Sequence, residues 1–464
     1  MRRFSVDLID RQPLLMRALR STLIVLGFLV VAAPLGAQAT APASTAAADP
    51  YIARALRVLK TSPVFDGHND LPWRIREDSV HPRDVLGYDL RKRTPGMTDL
   101  ARMKQGHLGA QFWSVYIPGE PDDANYTPNG KVSSTPGYAR VQLEQIDIAR
   151  RMIERYPEMQ WALTAQAVRA NFRRGTVGSL LGLEGGHAIE NSLALLREYY
   201  DLGARYMTLT HNVTLDWADA ALDSAKHGGL TPFGREVVRE MNRLGMLVDL
   251  SHVSPGTMSD ALSTTEAPVI FSHSGARALV DHRRNVPDSI LARIPKNGGV
   301  VMVPFVTSFV STAVKDYGDS LDAIASRARQ LHPGTTAADT AAVRAALATW
   351  RASHPKPNAT LSDVADHIDH VRKIAGVDHV GIGSDLDGIT DNVVGLEDVS
   401  RFPLLFAELA RRGWTDAELA KLADGNILRV LAETERVAAR LKKTRGPSKA
   451  TIEQLDGPRP VTMR

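Results

Sequence analysis

Eight short apolar or β-branched runs, separated by longer stretches with helical spacing, constrain this chain more than any other feature. They fall at 63–66 (PVFD), 110–117 (AQFWSVYI), 178–183 (GSLLGL), 205–209 (RYMTL), 246–250 (MLVDL), 268–271 (PVIF), 299–304 (GVVMVP) and 379–383 (HVGIG). Such alternation marks βα units on a parallel sheet. The stretches 193–202, 233–244 and 361–374 carry the helical spacing, and Gly203 and Gly245 stand where a helix C-cap favours glycine. Eight units predict an α/β fold, a closed (β/α)8 TIM-type barrel, with an open doubly wound sheet as the alternative. The 464 residues, 44% of them apolar, can build a core of that size. With 35 Gly and 26 Pro, collagen-like and bulk-disordered chains are excluded. Residues 51–440 read as one barrel domain. Segments 118–160 and 312–360 fit no βα unit neatly and read as helical insertions over a barrel face, and 441–464 reads as a polar tail.

The amino terminus reads as an address. Arg17 and Arg20 precede an eleven-residue apolar run, 23–33, followed by Pro34, Gly36 and the small-x-small triplet Ala37-Gln38-Ala39. This is the pattern of a cleaved export signal over 1–39, with 40–50 as a flexible lead-in. The run is well short of the roughly 20 residues that span a bilayer, and an uncleaved anchor is the competing reading. Five Arg against two Asp in 1–39 account for most of the formal charge of +4. The remainder is close to neutral, so no nucleic-acid partner is expected. The chain has no Cys. That excludes thiolate nucleophiles, Cys-based zinc sites and iron–sulfur clusters, and leaves any metal to His, Asp and Glu.

In a (β/α)8 barrel, chemistry sits at the C-terminal strand ends. The first run leads into Asp66-Gly67-His68-Asn69-Asp70, the third into Glu184-Gly185-Gly186-His187, the fourth into Thr210-His211-Asn212. The fifth closes with Asp249-Leu250-Ser251-His252, the sixth with Ser272-His273-Ser274, the eighth with Ser384-Asp385-Leu386-Asp387-Gly388. His68 and Asp70, two apart on an extended backbone, share a face. Each residue alone is a weak signal, but six strands delivering His, Asp or Glu to one rim is a strong one. So many charged groups at one mouth would repel and lose solvation without a cation. Imidazole and carboxylate donors without thiolate suit Zn²⁺, with Mn²⁺ or Co²⁺ as alternatives. Asp249 precedes the rim position held by His252 and reads as structural. His81, His107, His227, His332, His354, His367 and His370 read as surface residues, and His187 and His282 receive no role.

These motifs, together with Leu71-Pro72-Trp73, Val253-Ser254 and Arg283-Arg284-Asn285-Val286-Pro287, occur in an order that resembles the membrane (renal) dipeptidase family of zinc peptidases over roughly 50–435. The resemblance implies a metallo-dependent hydrolase-like barrel with two zinc ions per chain. It places one ion on His68 and Asp70 and the other on His252 and His273, with Glu184 bridging both. It further gives His211 the scissile carbonyl oxygen, Arg284 the substrate carboxylate, and Asp385 the proton. Asp387 competes for the last place, but the first Asp of the motif fits the strand end better. The implied reaction is hydrolysis of free dipeptides, including those with a D-residue on the carboxyl side, by a metal-bridging hydroxide.

Vertebrate members of the family are disulfide-linked and lipid-anchored; a chain without Cys or an apolar carboxyl tail shares neither sign. The expected partners are small dipeptides, with no stable membrane anchor after signal cleavage, a periplasmic or secreted location, and a homodimer as one permitted assembly. A related barrel amidohydrolase acting on β-lactams or other small amides would use the same donors. A non-catalytic exported binding protein is a further alternative, disfavoured because all five proposed ligands and Asp385 are present.

Overall fold

The computed structural model describes residues 49–119, 137–334 and 336–458. The segments read as an export signal and lead-in, up to residue 48, together with residues 120–136 of the first insertion and the last six residues of the tail, lie outside the described residues. Nine strands occur among those described: β1 (Val64–Asn69), β2 (Leu108–Ser114), β3 (Met159–Trp161), β4 (Val177–Glu184), β5 (Ala204–Thr208), β6 (Leu247–Asp249), β7 (Ile270–Phe271), β8 (Val300–Val303) and β9 (Val380–Ile382). Eight of them pair in the order β1-β2-β4-β5-β6-β7-β8-β9, every pair parallel. Each of the eight apolar runs forms one of these strands. The ninth, β3, pairs alongside the start of β4, with Met159 opposite Val177. Three residues are too few to show a period, which is why the sequence does not reveal it.

The sheet closes on itself at the rim between β9 and β1. Asp385 N donates to His68 O and Asp70 N to Leu386 O, each at 3.0 Å. Asp66, wholly buried, accepts Ser384 N at 2.7 Å and Ser384 Oγ at 2.6 Å. The seam is therefore made by the residues that flank the predicted site. Architecture and site share the same hydrogen bonds.

Strand periodicity sorts side chains into two layers. Phe65, Phe112, Leu180, Tyr206, Leu247, Ile270, Val300 and Met302 form one cluster with Ile427, Val430 and Leu431 of the helix Asn426–Leu441. Trp113, Leu181, Leu183, Met207, Val248, Phe271, Val301 and Val303 belong instead to the cluster shared with the flanking helices. Strands buried on both sides read as continuous apolar runs. The helices are capped as their sequences suggest: Thr231 and Ser192 accept from the first turns of Pro232–Leu244 and Leu193–Asp201, and Gly245 ends the former at φ 93°.

Among their described residues both insertions hold helices, and the tail makes specific hydrogen bonds. Segment 118–160 holds the helix Tyr138–Arg155, whose Val141, Ile146, Ile148 and Met152 join the main core. In the tail, Asp456 accepts Thr231 Oγ1 at 2.6 Å and Phe233 N at 2.9 Å, a carboxylate at a helix N-terminus. By contact density the described residues form two units, 50–318 with 354–458, and 319–353. In the second, Ala325 and Ala328 pack on Val343 and Leu347. His367, expected at the surface, is buried. It lies between Val364 and Val371 on the inner face of the helix Leu361–Ala375, and its Nδ1 accepts Ala276 N at 2.9 Å.

A close approach between the chain after β9 and the chain after β7 yields a test. A Cβ at Gly383 would overlap the backbone carbonyl of Ser272, which cannot rotate away. Gly383→Ala is expected to lower stability by about 3 kcal/mol, read as a lower urea midpoint at unchanged slope. An unchanged midpoint would contradict this packing.

Candidate metal centre at the barrel rim

Local backbone geometry delivers the donors. β1 runs straight into His68 and Asp70, and β4 ends on Glu184. Past β6 and β9 the chain turns sharply, holding His252 at φ 66° and Asp385 at φ 63°. Left-handed backbone costs a non-glycine residue roughly 1–2 kcal/mol and gathers at functional sites. Both turns aim their side chains at one point.

His68, Asp70, Glu184, His252 and His273 are all brought together, each almost fully buried. Around His68 Nε2 lie Asp70 Oδ2 at 3.1 Å, Glu184 Oε2 at 3.5 Å and Asp385 Oδ1 at 3.8 Å. Around Glu184 Oε1 lie His252 Nε2 at 3.0 Å, His273 Nε2 at 3.5 Å and His211 Nε2 at 3.9 Å. His252 Nε2 and His273 Nε2 are 2.9 Å apart. The two oxygens of Glu184 thus face two different donor groups. Three overlapping triples have ligand atoms within 4.8 Å of one another: His68–Glu184–His273, Glu184–His211–His252 and His68–Asp70–Asp385. Their overlap marks one continuous donor cluster.

Hydrogen bonding tests whether these residues fit a cation. His252 Nδ1 lies 3.0 Å from Asn212 Oδ1, which can only accept, so Nδ1 carries the ring proton and Nε2 is bare. His68 Nδ1 is held by Tyr206 Oη at 2.7 Å. Asp70 Oδ1 is buried without a protein partner. Lone pairs converge where hydrogens would be expected, and a cation satisfies that arrangement. The donor set fits zinc.

The electrostatics agree. Burial opposes charge on His68, yet Tyr206, Glu184 and Asp70 outweigh it and lift its pKa well above the ordinary value. Positive charge is favoured at that spot. Burial, with the neighbouring positive groups, holds His211, His252 and His273 well below theirs, so they are neutral donors. Burial pushes Asp385 well above the carboxylate range, and Asp70 and Glu184 add to it against His68 and Arg284.

Arg284 is 2% exposed, its Nη1 has no partner, and its guanidinium lies over the Phe309 ring at 5.2 Å. Burial lowers its pKa to about 10, with Asp385, Glu184 and Asp249 pulling the other way. Asp387 turns away from the cluster to accept Met97 N at 2.7 Å. His187 is buried, its Nε2 3.0 Å from Ile117 O, and burial lowers its pKa to about 4. Tyr206, Asn212, Ser114 and Tyr116 also stand at the cluster, without a role that the sequence assigned them. Ser114 Oγ donates to Glu184 Oε2 at 3.2 Å, and the Tyr116 ring stands 5.0 Å from His211. Asn212 had a signal, adjacency to His211; Tyr206, inside an apolar strand, had none.

Comparison with known proteins accords with this geometry. Residues 52–445 match the family described as membrane dipeptidase (peptidase family M19). Among solved structures, the probable dipeptidase PvdM from Pseudomonas aeruginosa is 27% identical, with a TM-score of 0.71, over 84% of this chain and 100% of that one. A metallo peptidase from Rhodobacter sphaeroides, liganded with a phosphinate mimic of the dipeptide L-Ala-D-Ala, is 26% identical, with a TM-score of 0.63, over 81% and 99%. The metallo peptidase described as dipeptidase AC is 27% identical, with a TM-score of 0.62, over 81% and 99%. Among the described residues no helix is long and apolar enough to cross a membrane. With a family match spanning most of its length and a rim of converging metal donors, this chain belongs to the membrane dipeptidase family and is a metallopeptidase.

Proposed function

We propose that this enzyme hydrolyses free dipeptides, including those with a D-residue on the carboxyl side, using two zinc ions bridged by Glu184. The observation that carries the reading is the pair of Glu184 oxygens, one facing His68 and the other facing His252 and His273. In this reading His68 and Asp70 hold one ion and His252 and His273 the other. The dipeptide mimic bound by the Rhodobacter sphaeroides relative supports the substrate class and the D-residue. Zinc supplies Lewis acidity, lowering the pKa of water towards neutrality and polarising a carbonyl oxygen.

The chain's own residues do the rest. Arg284, with an unpartnered Nη1, takes the free carboxylate of the substrate and sets its register. His211, neutral and with Nδ1 unpartnered, orients the scissile carbonyl oxygen. Asp385, its pKa lifted by burial, accepts the proton of the attacking water and returns it to the leaving amine as the C–N bond breaks. The charge-rich amino terminus and the 37–39 triplet support export to the periplasm or beyond.

The decisive experiment is turnover of a panel of L,L and L,D dipeptides and of neutral amides, by parent and Arg284→Ala. The variant is expected to raise KM for dipeptides about 10–100-fold, the loss of a charge-assisted pair. Equal loss on carboxylate-free amides would contradict the dipeptidase reading. Asp385→Asn is expected to keep its zinc while kcat falls about 10²–10⁴-fold, and retention of half the parental kcat would remove Asp385 from the proton path. Sequencing of the secreted protein is expected to begin at Thr40; an intact amino terminus would refute signal cleavage.

A further inference from the structure

Asp249 has no part in the chemistry above, yet it is one of the most densely bonded carboxylates beside the site. It is wholly buried at the end of β6, and its two oxygens accept Thr208 Oγ1 at 2.6 Å, Ser272 Oγ at 2.6 Å, Ser272 N at 2.8 Å and Ser251 N at 3.1 Å. Thr208 ends β5 and Ser272 follows β7, so one carboxylate ties three neighbouring strands at the rim.

Ser272 carries the effect onward. A hydroxyl has one hydrogen, and that of Ser272 is directed to Asp249 Oδ2. Towards His273 Nδ1, 2.8 Å away, the same oxygen can only accept. His273 Nδ1 must then bear the ring proton, which leaves Nε2 bare and turned to His252 Nε2 and Glu184 Oε1. Its main chain is pinned at the same place, His273 N donating to Ser251 Oγ at 3.0 Å.

We infer that Asp249 is a positioning residue that acts through Ser272 to fix the tautomer and aim of His273. The inference rests on the reading that His252, His273 and Glu184 hold one of two zinc ions. The three imidazoles differ in their support. His68 and His252 lean on single neutral groups, Tyr206 and Asn212, whereas His273 leans on a hydroxyl backed by a buried carboxylate. Such a partner raises the donor strength of a ligating imidazole. Occupancy of the second position, and not the first, is therefore the property under control of Asp249.

Ser272→Ala cuts the link while leaving Asp249 with Thr208 Oγ1 and two backbone donors. Zinc binding is measured on parent and variant by competition with a chelating dye, with urea unfolding as a check of the fold. The parent is expected to bind two zinc ions. The variant is expected to bind the first with parental affinity and the second about 10–100-fold more weakly, and to recover activity as zinc is raised. Two ions bound at parental affinities would overturn the relay while leaving the two-zinc reading intact. A parent that binds fewer than two would overturn both. The tautomer is read separately, on the parent, from the ring ¹⁵N shifts of His273. A protonated Nδ1 is expected, and a bare Nδ1 would refute the inference even if the variant failed to fold.

Discussion

Electron-pair donors crowd together at one end of the barrel, and the surrounding hydrogen bonds hold them there. His68, Asp70, Glu184, His252 and His273 crowd ring nitrogens and carboxylate oxygens 2.9–3.5 Å apart in a buried setting. Desolvated like charges and opposed lone pairs are costly. Two left-handed residues, His252 and Asp385, add backbone strain to the same region. A fold tolerates such an arrangement where bound cations turn repulsion into coordination, and where a rigid surround prevents the donors from relaxing apart.

That surround follows one plan used twice. Asp66 on β1 accepts both the backbone N–H and the hydroxyl of Ser384, and Ser384 precedes Asp385. Asp249 on β6 accepts the same two groups from Ser272, and Ser272 precedes His273. In each case a buried carboxylate clasps the serine that follows another strand and thereby fixes the next residue, a site side chain. The first clasp also closes the sheet between β1 and β9. Stability and chemistry are coupled there, because loosening the seam would displace Asp385.

Much of this was legible in the chain. Eight apolar runs became eight paired strands because a strand buried on both faces needs unbroken apolar sequence. The rim donors were legible because they follow those runs directly, so that fixing the strands fixed the neighbourhood of His68, Glu184 and His273. What was hidden depended on partners distant in sequence. His367 read as a surface residue until the helix face carrying it packed inward, and β3 was too short to show a period. Tyr206 resembled any strand aromatic, although it holds His68 across 138 positions. Asp249 read as structural for the same reason: its link to His273 passes through a serine on another strand.

The proposed pair of cations on the two oxygens of Glu184 is open to direct observation, by diffraction from crystals of the active enzyme recorded on either side of the zinc absorption edge. Two anomalous peaks are expected, one between Glu184 Oε2 and the His68–Asp70 pair, the other between Glu184 Oε1 and the His252–His273 pair. A single peak away from Glu184, or none in crystals that turn over dipeptide, would contradict the account.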